Sequence, residues 1–325
     1  MNNRTFGKTG AAVGEVGLGC WQLGGDWGTV EEETAFRILE TAVETGVNFW
    51  DTADAYGGGR SEMLIGRYLK AHAAKVFVAT KLGRGGIYPN GYTRAAVRQA
   101  TEGSLRRLGV QALDLIQLHC IPMAALQRGD VFDWLRELKQ EGKIRNWGAS
   151  VESMDEALVC LKQEGLASLQ VIFNIFRQKP IQALFPQAQA KGVAIITRVP
   201  LASGLLSGKF TANTHFGAND HRNYNRDGEA FNVGETFAGL PFEKGVELAD
   251  GLKPLVPAGL TMAQMALRWI LDHDAVSVII PGASRPDQVR SNAAASGLAP
   301  LGEALHARLQ GYYQEKVHPF IRGPY

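Results

Sequence analysis

Val76-Phe77-Val78-Ala79-Thr80-Lys81 is a short strand-like run, largely apolar on both faces, that stops on a lysine. Strands without a polar face belong to parallel sheets covered by helices. The pattern repeats on either side. Asn48-Phe49-Trp50 runs into Asp51-Thr52-Ala53-Asp54-Ala55-Tyr56-Gly57, and Leu115-Ile116-Gln117-Leu118 runs into His119. Working outward, strands are predicted at 16–19, 47–50, 76–80, 113–118, 144–149, 169–173, 193–197 and 276–280. Amphipathic helical stretches alternate with them at 31–45, 61–71, 93–108, 131–141, 154–164, 182–191 and 285–295. Gly46, Gly109, Gly142 and Gly192 punctuate four helix ends. Eight strands in βα alternation predict a closed (β/α)8 TIM barrel. The rival architecture, a doubly wound sheet, lacks its G-x-G-x-x-G fingerprint here.

Three segments fall outside the rhythm. Residues 4–13 read as an N-terminal β-hairpin, and 261–273 and 303–314 as extra helices. The stretch 210–237, rich in Asn, Gly, Asp and His, is too long for a simple connector and reads as a lid. The expectation is one barrel domain spanning 1–325. With a net charge of +2 and 20% charged residues, nothing marks nucleic acid or a membrane surface as partner. No apolar run reaches the length of a membrane span, and the polar start, 1–10, is no secretory signal. Cys20, Cys120 and Cys160 are odd in number and without metal spacing, so no metal and a reduced, cytoplasmic setting are expected.

In a parallel barrel, side chains at the C-terminal strand ends converge on one cleft. Asp51, Lys81 and His119 each close such a strand, and Tyr56 follows five positions after Asp51. A lysine ammonium beside a phenol favours the phenolate, and an aspartate beside the lysine keeps it charged. A histidine can polarise a carbonyl. Together these groups can protonate an alkoxide while a hydride arrives at carbon. Taken singly, each has a plainer reading: Asp51 as a turn former, Tyr56 as a loop aromatic, Lys81 as a strand end and His119 as a core histidine.

The chain resembles the aldo-keto reductase family over nearly its whole length. The resemblance is carried by Gly17-Leu18-Gly19 with Trp21, by 51–57, Thr80-Lys81, Leu118-His119, Gly148-Ala149-Ser150, 200–209 and 280–285. It implies NADP(H) bound extended across the C-terminal face, a catalytic tetrad of Asp51, Tyr56, Lys81 and His119, and Tyr56 as general acid. Ser150 and Gln170 match the carboxamide-holding positions. Leu201, Ser203, Gly204, Leu205 and Lys209 match the pyrophosphate stretch. Gly282, Ser284, Arg285, Gln288 and Asn292 match the adenosine end, where a helix start and a forked guanidinium suit a 2′-phosphate. Two positions depart from the family pattern: Val151 follows Ser150 where an asparagine is usual, and Arg198 stands in the region of the aromatic that stacks on nicotinamide.

Trp21 and Tyr88, with Trp27, are candidates for the substrate pocket. The resulting expectation is an NADPH-dependent aldehyde or ketone reductase acting on a small carbonyl substrate. Two alternatives stay open: a cofactor-binding sensor or regulatory subunit, and a sugar or polyol dehydrogenase working in the oxidising direction. Substrate identity and oligomeric state are open too. Gly204 to Phe210 is one residue short of a P-loop, and His215 with Asp220-His221 reads as a solvated polar loop rather than a metal site.

Overall fold

Two short strands, β1 (Asn3–Thr5) and β2 (Ala12–Gly14), pair antiparallel with Arg4 opposite Val13. They form the hairpin expected before the first barrel strand. The computed structural model describes every residue except Asp26 and Thr29. The strands that follow are β3 (Leu18–Gly19), β4 (Phe49–Asp51), β5 (Phe77–Leu82), β6 (Leu115–His119), β7 (Trp147–Ser150), β8 (Ser168–Ile172), β9 (Ala194–Arg198) and β10 (Val276–Ile279). They pair in chain order, every pair parallel. Val16 and Gly19 bridge Ile279 and Gly282, so the sheet curls into a nearly closed barrel with helices outside.

The period of two along a strand sorts side chains into layers inside the barrel. Phe49, Ala79, Leu115, Ala194, Ile196 and Val278 form an apolar layer with Phe6 and Val13 of the hairpin. Phe6 is fully buried, its ring 5.4 Å from Phe49 and 5.3 Å from Phe77. The hairpin thus plugs the N-terminal end. Two residues further along four of the strands, the inward positions turn polar: Asp51 after Phe49, Lys81 after Ala79, Gln117 after Leu115, Arg198 after Ile196. The cleft therefore opens at the C-terminal end.

Local sequence explains the helix boundaries. Thr93 caps Arg94–Leu108 by accepting from the Ala96 amide at 3.2 Å, and Gly109 ends it at φ 70°. Ser153 with Glu156, and Thr261 with Gln264, form reciprocal capping boxes for Met154–Leu161 and Met262–Leu271.

Some elements differ from expectation. The helix predicted over 182–191 is two pieces, Pro180–Ala183 and Phe185–Ala190, broken at Leu184. Pro186 has no amide to donate back to the Gln182 carbonyl, so the first piece cannot run on through it, and Leu184 leaves helical geometry at φ −124°. The terminal helix Glu303–Tyr312 runs into a π-helical turn, Tyr313–Val317. A helix at Phe242–Leu252 was not foreseen, because Gly245 and Gly251 weaken its signal. Residues 210–237 hold only short helical turns, His221–Tyr224 and Val233–Glu235 among them. Among the described residues, no helix is long and apolar enough to cross a membrane.

Candidate active site

Lys81 sits at the centre of the polar layer and is fully buried. Its ammonium donates to Asp51 Oδ1, to the Thr52 carbonyl at 2.8 Å and to Tyr56 Oη at 3.0 Å. All three donors are thereby used. Asp51 Oδ2 accepts from Gln170 at 2.8 Å and from Gln117 at 3.2 Å. Gln117 was not singled out from sequence, although the period of two places it on the same inward face as His119. The His119 ring meets the Tyr56 ring edge-on, 5.7 Å between centroids. All four tetrad candidates are brought together at one cleft floor.

The electrostatics follow from burial and these partners. Burial pulls the Lys81 ammonium down, but Asp51 and Tyr56 outweigh it, so Lys81 titrates above its ordinary range and stays charged. Burial pushes Tyr56 up to about 12, and Lys81 offsets only part of that. The lowering expected from the lysine alone is thus outweighed by desolvation, and Tyr56 stands as a protonated phenol. His119 is held well below its ordinary value by burial, then by Lys81, Arg84 and Arg198, so it is neutral.

Tyr56 is placed by a close approach of two turns. Gly57 has φ 58°, and a Cβ there would lie 2.2 Å from the Gly24 carbonyl oxygen. Only glycine permits this contact. It brings Trp21 into a near-parallel stack on Tyr56, with centroids 5.7 Å apart. Trp21 also meets Trp27 edge-on and lies 4.6 Å from the His221 ring. Trp21, Trp27 and Tyr56 line the aromatic side of the cleft, with His221 buried behind them.

The opposite wall is charged, and sequence reading anticipated little of it. Arg84 pairs with Glu152, and Glu152 also accepts from Asn232 at 2.8 Å. Arg198 pairs with Glu235 and donates to the Val151 carbonyl at 2.7 Å. Asn232 and Glu235 lie in the 210–237 segment, far in sequence from their partners. Cys120, Glu152 and Glu235 place side-chain atoms within 4.8 Å of one another, but both carboxylates are already paired with arginines. Burial pushes the Cys120 thiol up to about 11.

The cleft has a volume of about 700 Å³ and runs from Trp21, Tyr56 and Tyr88 to Ser284, Arg285 and Gln288. Ser150, Gln170, Leu201, Ser203, Gly204, Lys209 and Gly282 also line it. Leu205 and Asn292 do not: Leu205 is core, and the Asn292 amide donates to the Gly282 carbonyl at 3.4 Å. Ser203 Oγ donates to the Glu235 carbonyl at 3.2 Å and accepts from the Phe237 amide at 3.1 Å, which ties down the 210–237 segment. Gln288 accepts from the Ser284 amide at 2.7 Å, and exposed Arg285 pairs with Asp287. Buried Gln22 Oε1 and Arg198 Nε have no hydrogen-bond partner among the described residues, and both residues line the cleft. A polar ligand can pair Gln22 Oε1 and Arg198 Nε; an apolar one would leave those atoms unpaired.

Comparison with known proteins identifies the family. The model of the Aldo/keto reductase family matches residues 15–314. The chain belongs to the aldo/keto reductase family. Among curated proteins, the uncharacterised oxidoreductase YqkF of Bacillus subtilis is 29% identical, over 98% of each chain. The holo form of the aldo-keto reductase AKR11C1 from Bacillus halodurans superposes with a TM-score of 0.77 at 29% identity, covering 96% of each chain. An aldo-keto reductase from Klebsiella pneumoniae, solved in complex with NADPH, gives a TM-score of 0.70 at 25% identity over 96% of each chain.

Proposed function

We propose that the chain is an NADPH-dependent reductase of aldehyde or ketone carbonyls, with Tyr56 as the proton donor. The observation that carries this reading is the Tyr56 hydroxyl on a cleft floor, 3.0 Å from a buried ammonium. NADPH, when bound, supplies the hydride to the carbonyl carbon. The residues divide the remaining work. Tyr56 Oη gives its proton to the developing alkoxide, and the Lys81 ammonium, fixed by Asp51, stabilises the phenolate left behind. Neutral His119 orients the carbonyl oxygen. Ser150 and Gln170 would hold the carboxamide, Lys209 and Gly204 the pyrophosphate, and Gly282, Ser284, Arg285 and Gln288 the adenosine end. Trp21 and Tyr88 would face the substrate, and residues 210–237 would cover the cofactor.

The test is Tyr56→Phe. The variant binds NADPH with unchanged affinity in a fluorescence titration and turns over no member of a panel of small aldehydes. Turnover near the parent rate would remove Tyr56 from the acid role. Arg285→Ala raises the Kd for NADPH far more than that for NADH; equal effects would refute the 2′-phosphate contact.

A further inference from the structure

The two positions at which this chain departs from its family's pattern touch each other. Arg198 donates through Nη2 to the carbonyl of Val151. The same nitrogen lies 3.7 Å from Cys120 Sγ, which is itself 3.6 Å from Ser150 Oγ. The guanidinium is thus fixed beside the serine proposed to hold the cofactor's carboxamide. It is 7% exposed, and its Nε is unpartnered among the described residues while the residue lines the cleft. Its counter-charge comes from elsewhere: Glu235, from the 210–237 segment, also in the cleft wall. Glu235 is in turn held in place by the Ser203 hydroxyl on its backbone carbonyl.

We infer that the Arg198–Glu235 pair sets the preference of the site between the oxidised and the reduced cofactor. The inference rests on the reading that NADP(H) binds in this cleft. The oxidised nicotinamide ring carries a positive charge and the reduced ring carries none. Charge in a partly dry pocket is felt far more strongly than in water. A lone guanidinium beside Ser150 disfavours NADP⁺ and leaves NADPH nearly indifferent. Paired with Glu235, the guanidinium contributes only a small dipole, and NADP⁺ is tolerated. Of the other charges at the cleft, Lys81 is paired with Asp51, Arg84 with Glu152, Arg222 with Asp220 and Arg285 with Asp287, and Lys209 belongs to the stretch proposed for the pyrophosphate. The balance therefore hinges on Arg198 and Glu235.

Because one partner sits on the barrel and the other on the covering segment, a merely structural role and an electrostatic one predict different results. Loosening the cover weakens NADP⁺ and NADPH alike. Changing the charge moves their ratio. The experiment measures Kd for NADPH by fluorescence and for NADP⁺ by displacement, in the whole protein and four variants. Glu235→Gln raises Kd(NADP⁺)/Kd(NADPH) by about tenfold. Arg198→Gln, which leaves the carboxylate alone, lowers the ratio by a similar factor. The double variant returns it to within about threefold of the parent, and Arg198→Lys, which keeps the charge, leaves it near the parent value. Circular dichroism verifies that each variant is folded. A ratio unmoved in Glu235→Gln and Arg198→Gln, or moved in the same direction by both, overturns the inference and leaves the cofactor reading intact. Failure of the parent protein to bind either nucleotide overturns both.

Discussion

Lys81 Nζ stands 3.0 Å from Tyr56 Oη while its other two protons go to Asp51 and to the Thr52 carbonyl, so the ammonium has no freedom to turn away from the phenol. It is a fixed positive charge, already paid for by folding, aimed where the proposed mechanism develops negative charge.

Lys81→Met removes that charge and strands Asp51. Turnover falls by about 10²–10⁴, and stability falls by about 3–5 kcal/mol because a buried carboxylate loses its partner. Adding Asp51→Asn recovers much of the stability and none of the turnover. Urea denaturation and steady-state kinetics on both variants separate the two effects.

Asp54 makes stability depend on pH in an unusual direction. Burial, and then Glu62, push its carboxyl up to about 7 from 3.8. The folded state therefore holds a proton that the unfolded state releases. This contribution is complete below about 3.8 and is lost as pH rises through 7. Asp54→Asn is expected to match the parent near pH 4 and exceed it by about 2–4 kcal/mol at pH 8. Thermal melts across that range check the sign.

Phe6→Ala empties the plug beneath the apolar layer. The expected loss is about 3–5 kcal/mol, read by denaturant midpoint, with KM unchanged because no cleft residue moves.

Ser203→Ala removes the hydroxyl that ties Glu235 and Phe237 to the barrel. Hydrogen exchange over 233–239 is expected to accelerate by about tenfold, equivalent to about 1–2 kcal/mol of local stability, while the strands keep their protection.

What could be read from sequence follows the reach of each interaction. The barrel strands were legible because both faces are buried, which leaves an unbroken apolar run. Tyr56, Lys81, Asp51 and His119 were legible because each stands at or just past the end of such a run. The Arg84–Glu152 and Arg198–Glu235 pairs were not. Their partners lie far apart in sequence, and a charged residue in a loop looks the same whether it faces solvent or an arginine. Gln117 was hidden differently: inside a strand of leucine and isoleucine, only the inward phase of the period marked it. The helix Phe242–Leu252 was obscured by Gly245 and Gly251, where low helix propensity is overridden by packing.

The hairpin stopper has a consequence for proton supply. Phe6, Val13 and the apolar layer they pack against lie between the polar layer of Lys81 and the N-terminal end of the barrel. On the proposed mechanism, each proton given up by Tyr56 is replaced through the mouth, the route that substrate and product would also use. Recharging the phenol and emptying the cleft are then successive uses of a single doorway, and a slow exit delays the next proton as much as the next substrate.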